Sequence, residues 1–279
     1  MRKQIVLLLT GLCLSLAPTA QACTLWSAAG SSAAGGGTLL VKNRDWLPNH
    51  RQEVKLVRPK GGHAYWGLFA VGGNEPGLKA GLNDQGLSIV TATASVVTRE
   101  TRQQEPHTPG LTSRLLRECS SVAEVLQHEE WLRGVEYLLL ADRQETAVIE
   151  LAPGGRYAVQ RARNGVLTHT NHYLDESFLE LNQQIGESSR TRYERIGQLL
   201  AENRTPYQVS DFLRISRDQN AGPDNSLLRS GSTLKKARTM AIWAVRIPPQ
   251  GTPDLVVTLF NPGEEETTLR LSGAELFGN

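Results

Sequence analysis

The chain has 279 residues, of which 30 are Lys or Arg and 28 are Asp or Glu. Arg2 and Lys3 are the only charged side chains among the first 22 residues, so residues 23–279 carry 28 charges of each sign. This neutral body lacks the clustered positive charge of a nucleic-acid-binding protein. The 39% hydrophobic and 21% charged content excludes the disordered, collagen and coiled-coil classes.

Residues 1–22 have the three parts of an export signal. Arg2 and Lys3 give a positive start, residues 5–16 form an apolar run, and residues 20–22 (Ala-Gln-Ala) form a small-x-small cleavage site. The apolar run is too short for a membrane anchor, which needs about 20 residues. The sequence therefore predicts a cleavable signal peptide at 1–22. The mature chain is expected to be periplasmic or secreted, without a stable membrane span.

Cleavage after Ala22 would make Cys23 the N-terminal residue of the mature chain. Bacterial lipoproteins also begin with Cys, but their signals usually carry an aliphatic residue three positions earlier, where this chain has Ala20. We therefore favour a free Cys23 over a lipidated one, with a lipid-anchored binding protein as the alternative. Cys119 is the other cysteine of the mature chain, and it is predicted to be a buried helix residue or the partner of Cys23 in a disulfide.

The rest of the chain alternates between strand-rich and helix-rich blocks. Helical spacing is predicted over 108–134, 189–203 and 209–216, and residues 217–238 are predicted to form a loop. Turn residues 83–86 predict a hairpin within 77–95. The predicted strands lie at 23–30, 35–46, 52–59, 63–72, within 77–95, within 135–173, and at 239–247, 254–260 and 267–272. Antiparallel strands with helices in blocks predict one α+β domain over 23–279.

Several common catalytic motifs are missing from the sequence. It has no phosphate-binding loop, no dinucleotide fingerprint and no Gly-x-Ser-x-Gly nucleophile elbow. His128 is followed by two Glu but lacks the second His of a zinc-protease motif. His169 and His172 are three residues apart, so on a strand they would point to opposite faces. We expect no metal site and no cofactor.

An N-terminal Cys23 would combine two reactive groups in one residue. A free thiol has a pKa of about 8.5 and an α-amine one of about 7.7–8.0, so the amine is able to take the thiol proton and return it to a leaving amine. This chemistry attacks amide or ester carbonyls through an acyl-enzyme. It also needs an acid to orient the amine, donors for the oxyanion, and a nearby cation.

Four sequence motifs resemble those of one enzyme group, in the same order. They are Cys-Thr at 23–24 followed by Lys-Asn-Arg-Asp-Trp at 42–46, then residues 80–87 (AGLNDQGL), 167–172 (LTHTNH) and 189–195 (SRTRYER). The group is that of the N-terminal nucleophile hydrolases related to choloylglycine hydrolase, penicillin V acylase and acyl-coenzyme A:6-aminopenicillanic acid acyltransferase. The resemblance implies a four-layer αββα sandwich with two antiparallel sheets and hydrolysis of linear amides by Cys23.

The resemblance also implies roles for individual residues. Asp45 matches the acid that contacts the α-amine, Asn171 matches the oxyanion donor, and Arg192 matches an active-site Arg. Lys42 stands where the group often has Arg, while Arg44 follows two residues later on the same strand face, so the identity of the cation is left open.

Each of these roles has a structural alternative. Asp45 and Asn171 are also suited to turns, and Arg192 would be an exposed helix residue paired with an acid. A second asparagine of bile-salt hydrolases falls at Thr93, which disfavours a bile salt. A Cys–His hydrolase using His169 or His172 is a further alternative.

The partner is predicted to be a small acyl amide. Penicillins, N-acyl amino acids, acyl-homoserine lactones and lipid amides all fit the chemistry, and acyl transfer to a second amine would use the same acyl-enzyme. The oligomeric state is not indicated.

Overall fold

The computed structural model describes residues 22–73 and 75–278, and the signal peptide predicted at 1–22 lies outside this part except for Ala22. The described residues form thirteen strands: β1 Cys23–Ala29, β2 Thr38–Trp46, β3 Arg51–Val57, β4 Tyr65–Val71, β5 Gly77–Asn83, β6 Ser88–Thr93, β7 Glu136–Ala141, β8 Thr146–Ala152, β9 Arg156–Ala162, β10 Gly165–His169, β11 Arg238–Ile247, β12 Asp254–Leu259 and β13 Thr267–Leu271. Their helices are α1 Arg99–Gln104, α2 Leu111–Glu118, α3 Val122–Val125, α4 Glu187–Glu202, α5 Val209–Ile215, α6 Gly222–Asn225 and α7 Ala274–Phe277. Short 3₁₀ turns lie at Gly30–Ser32, Glu129–Trp131, Pro153–Gly155 and Glu176–Leu181.

The strands form two sheets, and each pair of neighbouring strands is antiparallel. The first sheet has the order β10-β1-β2-β11-β12-β13, and the second runs β3-β4-β5-β6-β7-β8-β9. The second sheet keeps its chain order, and the helices α1, α2 and α3 lie in the connection from β6 to β7. In the first sheet, β1 pairs with β10 and β2 pairs with β11, strands from far along the chain. His169 thus lies opposite Leu25, and Ala241 lies opposite Arg44, the residue that pairs with Cys23.

The two sheets and two groups of helices form four layers. Between the sheets, Leu25 and Trp243 of the first sheet belong to the same core as Leu82 and Leu139 of the second. The period of two along a strand sends alternate residues to the other face. Trp26 therefore packs with α4 and α5 on the outside of the first sheet.

The outer layers show the same alternation. The core outside the first sheet joins Trp26 and Val41 to Ile196, Leu199 and Phe212 of α4 and α5. The core outside the second sheet joins its strands to α2 and α3, through the residues Ile89, Leu138, Leu140, Leu115, Leu116, Val122 and Val125. The predicted αββα sandwich and single α+β domain are thus confirmed.

Most predicted elements are present, with local differences. The helical block predicted over 108–134 is divided into α2, α3 and a 3₁₀ turn, and Cys119 is the extended C-cap of α2 rather than a residue within it. Cys119 is fully buried, as predicted. The loop predicted over 217–238 contains the one-turn helix α6, and α1 and α7 were not predicted because neither has an apolar stripe of helical length.

Candidate active site

Cys23 lies at the start of β1, in the core between the two sheets, and only 3% of its surface is exposed. In the antiparallel register it pairs with Arg44 of β2, and Leu25 pairs with Lys42. Directly opposite residues of an antiparallel pair project on the same face. Arg44 and Lys42 therefore share the inner sheet face with Cys23, and the register brings both candidate cations to its side chain.

Asn171 and Arg192 hold the backbone of Cys23. The Cys23 nitrogen donates to Asn171 Oδ1 at 2.9 Å, and Arg192 Nη2 donates to the same oxygen at 2.9 Å. Arg192 Nη1 also donates to the Cys23 carbonyl oxygen at 2.5 Å and to Thr24 Oγ1 at 2.8 Å. Because a backbone N–H and a guanidinium can only donate, the Asn171 atom between them must be the oxygen of its side-chain amide and not the nitrogen.

The first turn of α4 positions the two side chains, Asn171 and Arg192, that anchor the backbone of Cys23. Ser189 Oγ accepts from the Asn171 nitrogen at 3.0 Å, and Arg192, three residues later on the same helix, points back to Cys23. Ser188 Oγ accepts from Arg192 Nε at 3.2 Å. The i, i+3 spacing places Ser189 and Arg192 on one helix face, which explains how residues 189–195 contribute to the site.

Arg192 is fully buried, so the alternative of an exposed helix residue is wrong. Burial lowers the pKa of its guanidinium to about 10, while the nearby carboxylate of Asp45 acts in the opposite direction. Arg192 therefore stays charged at neutral pH. A permanent cation at this position fixes the Cys23 carbonyl, the Thr24 hydroxyl and the Asn171 amide relative to one another.

The side-chain nitrogen of Asn171 forms a hydrogen bond with the second sheet. Asn171 Nδ2 donates to the carbonyl oxygen of Thr93 at 2.9 Å, and the Ser95 nitrogen donates to the Asn171 carbonyl oxygen at 3.1 Å. The amide nitrogen carries a second hydrogen, and this is the group predicted to serve as the oxyanion donor. The structure also adds the anchoring role of Oδ1, which the sequence motif did not indicate.

With Ala22 still attached, the Cys23 amide nitrogen donates its one hydrogen to Asn171, so the contact of Asp45 with a free α-amine stays a prediction. Asp45 follows Arg44 on β2 and faces the helix layer, where Oδ1 accepts from Thr239 Oγ1 at 2.8 Å. Its Oδ2 lies 3.9 Å from Arg229 Nη1 and makes no hydrogen bond to a described residue. Burial raises the pKa of Asp45, and Arg229 and Arg192 oppose this effect.

Lys42 and Arg44 have different environments on the inner face. Lys42 Nζ donates to the carbonyl oxygens of Lys79 at 2.7 Å and Thr91 at 2.6 Å. Burial lowers the pKa of Lys42 to about 7, against the effect of the Cys23 thiolate. Arg44 Nη1 donates to the Asp45 carbonyl oxygen at 3.0 Å, and its guanidinium carbon lies 4.3 Å from the Trp46 ring centre. Lys42 thus bonds to the backbone of the second sheet, whereas Nε and Nη2 of Arg44 make no hydrogen bond to a described residue.

The two histidines of the 167–172 segment bond to groups other than Cys23. His169 Nε2 lies 2.7 Å from Glu150 Oε1, and its Nδ1 lies 3.1 Å from the Thr170 carbonyl oxygen. His172 Nδ1 lies 2.9 Å from Ser189 Oγ, and burial lowers the pKa of His172 to about 4. Both rings support the Asn171 segment, which does not favour the Cys–His alternative.

The disulfide alternative is also not seen. Cys23 and Cys119 are both free, and they belong to different cores, on the inner and outer sides of the second sheet. Burial raises the pKa of the Cys119 thiol to about 11. Cys119 therefore lacks the properties of a nucleophile at neutral pH.

A cavity of about 550 Å³ lies next to Asn171. One of its lining residues is Thr93, whose carbonyl oxygen accepts from Asn171 Nδ2. Its wall includes apolar side chains such as Phe69, Leu78 and Leu111, together with the carboxyl group of Glu136. Glu136 was not predicted as a site residue, and Thr93 was noted only as the position where bile-salt hydrolases have a second asparagine. A charged residue at the head of the apolar strand β7 is the signal that marks Glu136, whereas Thr93 contributes a backbone atom that no pattern reveals.

Among residues 22–73 and 75–278, no group of three or more His, Cys, Asp or Glu side chains is placed to hold a metal ion. In the same part of the chain, no helix has both the length and the apolar character needed to cross a membrane.

Comparisons with known proteins agree on one group. A sequence model of the acyl-coenzyme A:6-aminopenicillanic acid acyl-transferase family matches residues 32–253. Two variants of conjugated bile acid hydrolase from Clostridium perfringens have similar structures, each with a TM-score of 0.61. One is 13% identical, with 88% of this chain and 92% of the other covered. The second is 12% identical, with coverage of 89% and 92%. No curated protein sequence matches this chain.

Proposed function

Because the chain belongs to the acyl-coenzyme A:6-aminopenicillanic acid acyltransferase family of N-terminal nucleophile enzymes, we propose that it is an exported amide hydrolase with Cys23 as its nucleophile. The family and the fold support amide hydrolysis or acyl transfer. The finer parts of the proposal are the nucleophile, the removal of residues 1–22, and a periplasmic or secreted location.

One observation supports Cys23 more than any other. Its nitrogen and carbonyl oxygen are held by two buried side chains, Asn171 and Arg192, which also bond to each other. The pairing of β1 with β10 begins only at Leu25, so these two side chains take the place of a strand partner for the backbone groups of Cys23. Two side-chain bonds to the backbone of Cys23, with a third bond between the two side chains, restrict the orientation of its thiol, as a nucleophile requires.

The burial of Cys23 also argues against the lipid-anchored alternative. A lipidated cysteine carries its acyl chains out of the fold toward a membrane, whereas Cys23 is nearly inaccessible and belongs to the core between the sheets. No contact in the described structure favours that alternative.

The proposed reaction begins when cleavage after Ala22 frees the α-amine of Cys23. The amine accepts the thiol proton, the thiolate attacks the amide carbonyl, and the second N–H of Asn171 Nδ2 donates to the oxyanion. The ammonium then returns the proton to the departing amine, which leaves an acyl thioester on Cys23. Water attacks the thioester with the amine as base, and the acid is released.

The same acyl thioester would pass its acyl group to an amine in place of water. The related proteins are an acyltransferase for 6-aminopenicillanic acid and a hydrolase for conjugated bile acids. For this chain we propose hydrolysis of small acyl amides as the main reaction, with transfer to an amine as a side reaction.

The test compares two forms of the mature enzyme. Residues 23–279 are produced with a free N-terminal Cys23, and a matched form keeps Ala22 in front of it. We expect hydrolysis of acyl amides only by the first form, and we expect an acyl adduct on Cys23 by mass spectrometry. The control variant Cys119→Ser should keep full activity. Equal turnover by both forms, or turnover by Cys23→Ala, would refute the proposal.

A further inference from the structure

Arg44 presents an unused pair of donors inside the site. Its Nη1 bonds to the Asp45 carbonyl oxygen, but Nε and Nη2 make no hydrogen bond to any described residue, although Arg44 is only 2% exposed. Buried guanidinium donors without acceptors are costly, since each charged group loses its hydration. A buried Arg with two free donors on one edge is therefore a candidate for binding a ligand.

The same edge of Arg holds carboxylates elsewhere in this protein. Arg161 donates from Nε and Nη2 to the two oxygens of Glu145, at 2.9 and 2.5 Å. Arg195 donates from Nε and Nη2 to Asp218 Oδ2, at 3.1 and 2.7 Å. The planar fork of Nε–H and Nη2–H matches a carboxylate in geometry and charge. In Arg44 this fork has no carboxylate partner among residues 22–73 and 75–278.

The fork of Arg44 lies beside the nucleophile. Arg44 is the cross-strand partner of Cys23, and in an antiparallel sheet such partners are about 4.5–5.5 Å apart at Cα. Burial lowers the pKa of Arg44, whereas the negative charge of the Cys23 thiolate and the direct contact of its sulfur with the guanidinium raise it. A carboxylate on this fork would thus lie within a few bonds of a carbonyl carbon attacked by Cys23.

Charged groups of both signs lie near Arg44, and the two carboxylates that act on it have other partners. Lys42 and Lys79 lie close enough that Arg44 lowers the pKa of each, in addition to the larger effect of burial. The negative groups that act on Arg44 are the Cys23 thiolate, Glu75 and Asp45. Glu75 lies 4.0 Å from Arg99, and Asp45 bonds to Thr239 on the other face of β2.

We propose that Arg44 binds a carboxylate of the substrate, next to the scissile amide. This inference rests on the proposed function of Cys23 and names its substrate class: N-acyl-α-amino acids and related amides with a carboxylate on the leaving amine. On an α-amino acid, the carboxylate is separated from the scissile carbonyl carbon by the nitrogen and one carbon. This short spacing fits a fork opposite the nucleophile.

A carboxylate in the acyl part is the other source of the same chemistry. Monoamides of short dicarboxylic acids carry it on the opposite side of the scissile bond. The test therefore includes N-acylglycines, the matched N-acylglycinamides, which lack the charge, and glycinamide derivatives of succinic acid. Acyl groups from acetyl to decanoyl and phenylacetyl cover the size of the pocket.

The readout is the ratio of kcat/KM for each acid to that of its matched neutral amide, so any loss common to both substrates cancels. Charge-assisted bonds of this kind change affinity by about 10- to 100-fold, and we expect the wild-type ratio to be of that size. In Arg44→Met the ratio should fall to within about threefold of one, and in Arg44→Lys it should be intermediate. The control Arg161→Met removes a carboxylate-binding fork at a distant site and should keep the wild-type ratio.

Each outcome separates the two proposals. A wild-type enzyme that hydrolyses no amide of the series refutes the proposed function. A wild-type ratio near one, a ratio unchanged in Arg44→Met, or a preference for the succinic derivatives refutes the carboxylate site on the leaving amine while leaving Cys23 as nucleophile. Thermal unfolding of each variant shows that it is folded before the rates are compared.

Discussion

The two proposed roles of Asn171, anchor and oxyanion donor, can be separated by one isosteric substitution. In Asn171→Asp, the side-chain oxygen that accepts from the Cys23 nitrogen and from Arg192 is kept. The nitrogen, which donates to the Thr93 carbonyl oxygen at 2.9 Å, becomes an oxygen. The anchor survives, whereas the donor aimed at the substrate is lost.

The expected size of each effect follows from these bonds. A carboxylate facing the Thr93 carbonyl oxygen costs about 1–3 kcal/mol, and the stronger pairing with Arg192 offsets a similar amount, so stability should change by less than about 2 kcal/mol. Loss of one oxyanion donor lowers kcat by about 100- to 1000-fold. Asn171→Ala loses both roles and leaves the Arg192 and Cys23 donors buried without an acceptor, so it should also destabilise the fold by roughly 3 kcal/mol.

The assay measures kcat on an acyl amide and the free energy of unfolding in urea, on residues 23–279 of each variant. We expect Asn171→Asp to be stable and slow, and Asn171→Ala to be both unstable and slow. A folded Asn171→Asp enzyme with kcat within threefold of the wild type would show that Asn171 only anchors Cys23, and another donor would then have to stabilise the oxyanion.

Three further predictions concern buried groups. Burial lowers the pKa of Lys42 to about 7, so above pH 7 the unfolded chain binds more protons. From pH 7 to 10 the free energy of unfolding of the wild type should therefore rise relative to that of Lys42→Met, by at most about 1.4 kcal/mol per pH unit. Urea unfolding at several pH values tests this, and a difference between the two proteins that does not change with pH would contradict it. Glu150 and His169 form a buried pair, so Glu150→Gln should lower the free energy of unfolding by about 3 kcal/mol. The control Glu180→Gln, at an exposed residue, should lower it by less than about 0.5 kcal/mol. Equal losses in the two variants would disprove this. Cys119 is buried, and its thiol has a pKa of about 11, so iodoacetamide should modify Cys23 first in the native protein. Peptide mass mapping measures the order, and modification of Cys119 first would contradict the assignment of Cys23 as the nucleophile.

Local sequence patterns predicted the fold well because each strand and each long helix has its own periodic apolar face. The segment 189–203 shows helical spacing, and α4 occupies Glu187–Glu202. The turn at 83–86 joins β5 to β6, with Asn83 Oδ1 accepting from the nitrogens of Gln85 and Leu87. The short helices α1 and α7 could not be predicted, since six and four residues leave too few positions for a pattern.

The site was predicted as a set of residues but not as a set of contacts. The motifs brought out Cys23, Asn171 and Arg192, and the structure joins all three. The predicted contact of Asp45 with a free α-amine stays a prediction, because the Cys23 nitrogen is still an amide here, and Asp45 accepts from Thr239 on the helix face of β2. The contact between Asn171 and Thr93 joins residues 78 positions apart through a backbone oxygen, so side-chain patterns hold no signal for it.

Two unfilled groups on opposite faces of β2 link the proposed processing to the proposed substrate. Continuing the register beyond the pair of Cys23 and Arg44 by one residue sets the buried Ala22 opposite Asp45. Removal of residues 1–22 would vacate that place and leave an α-ammonium beside it, a donor for the free Asp45 Oδ2. The substrate carboxylate would in turn fill the fork of Arg44. Each unfilled group thus requires a partner of a different origin, one created by cleavage and one delivered with the amide. Asp45→Asn should accordingly lower the kcat of the mature enzyme on charged and neutral substrates alike, whereas Arg44→Met should in addition remove the preference for charged substrates.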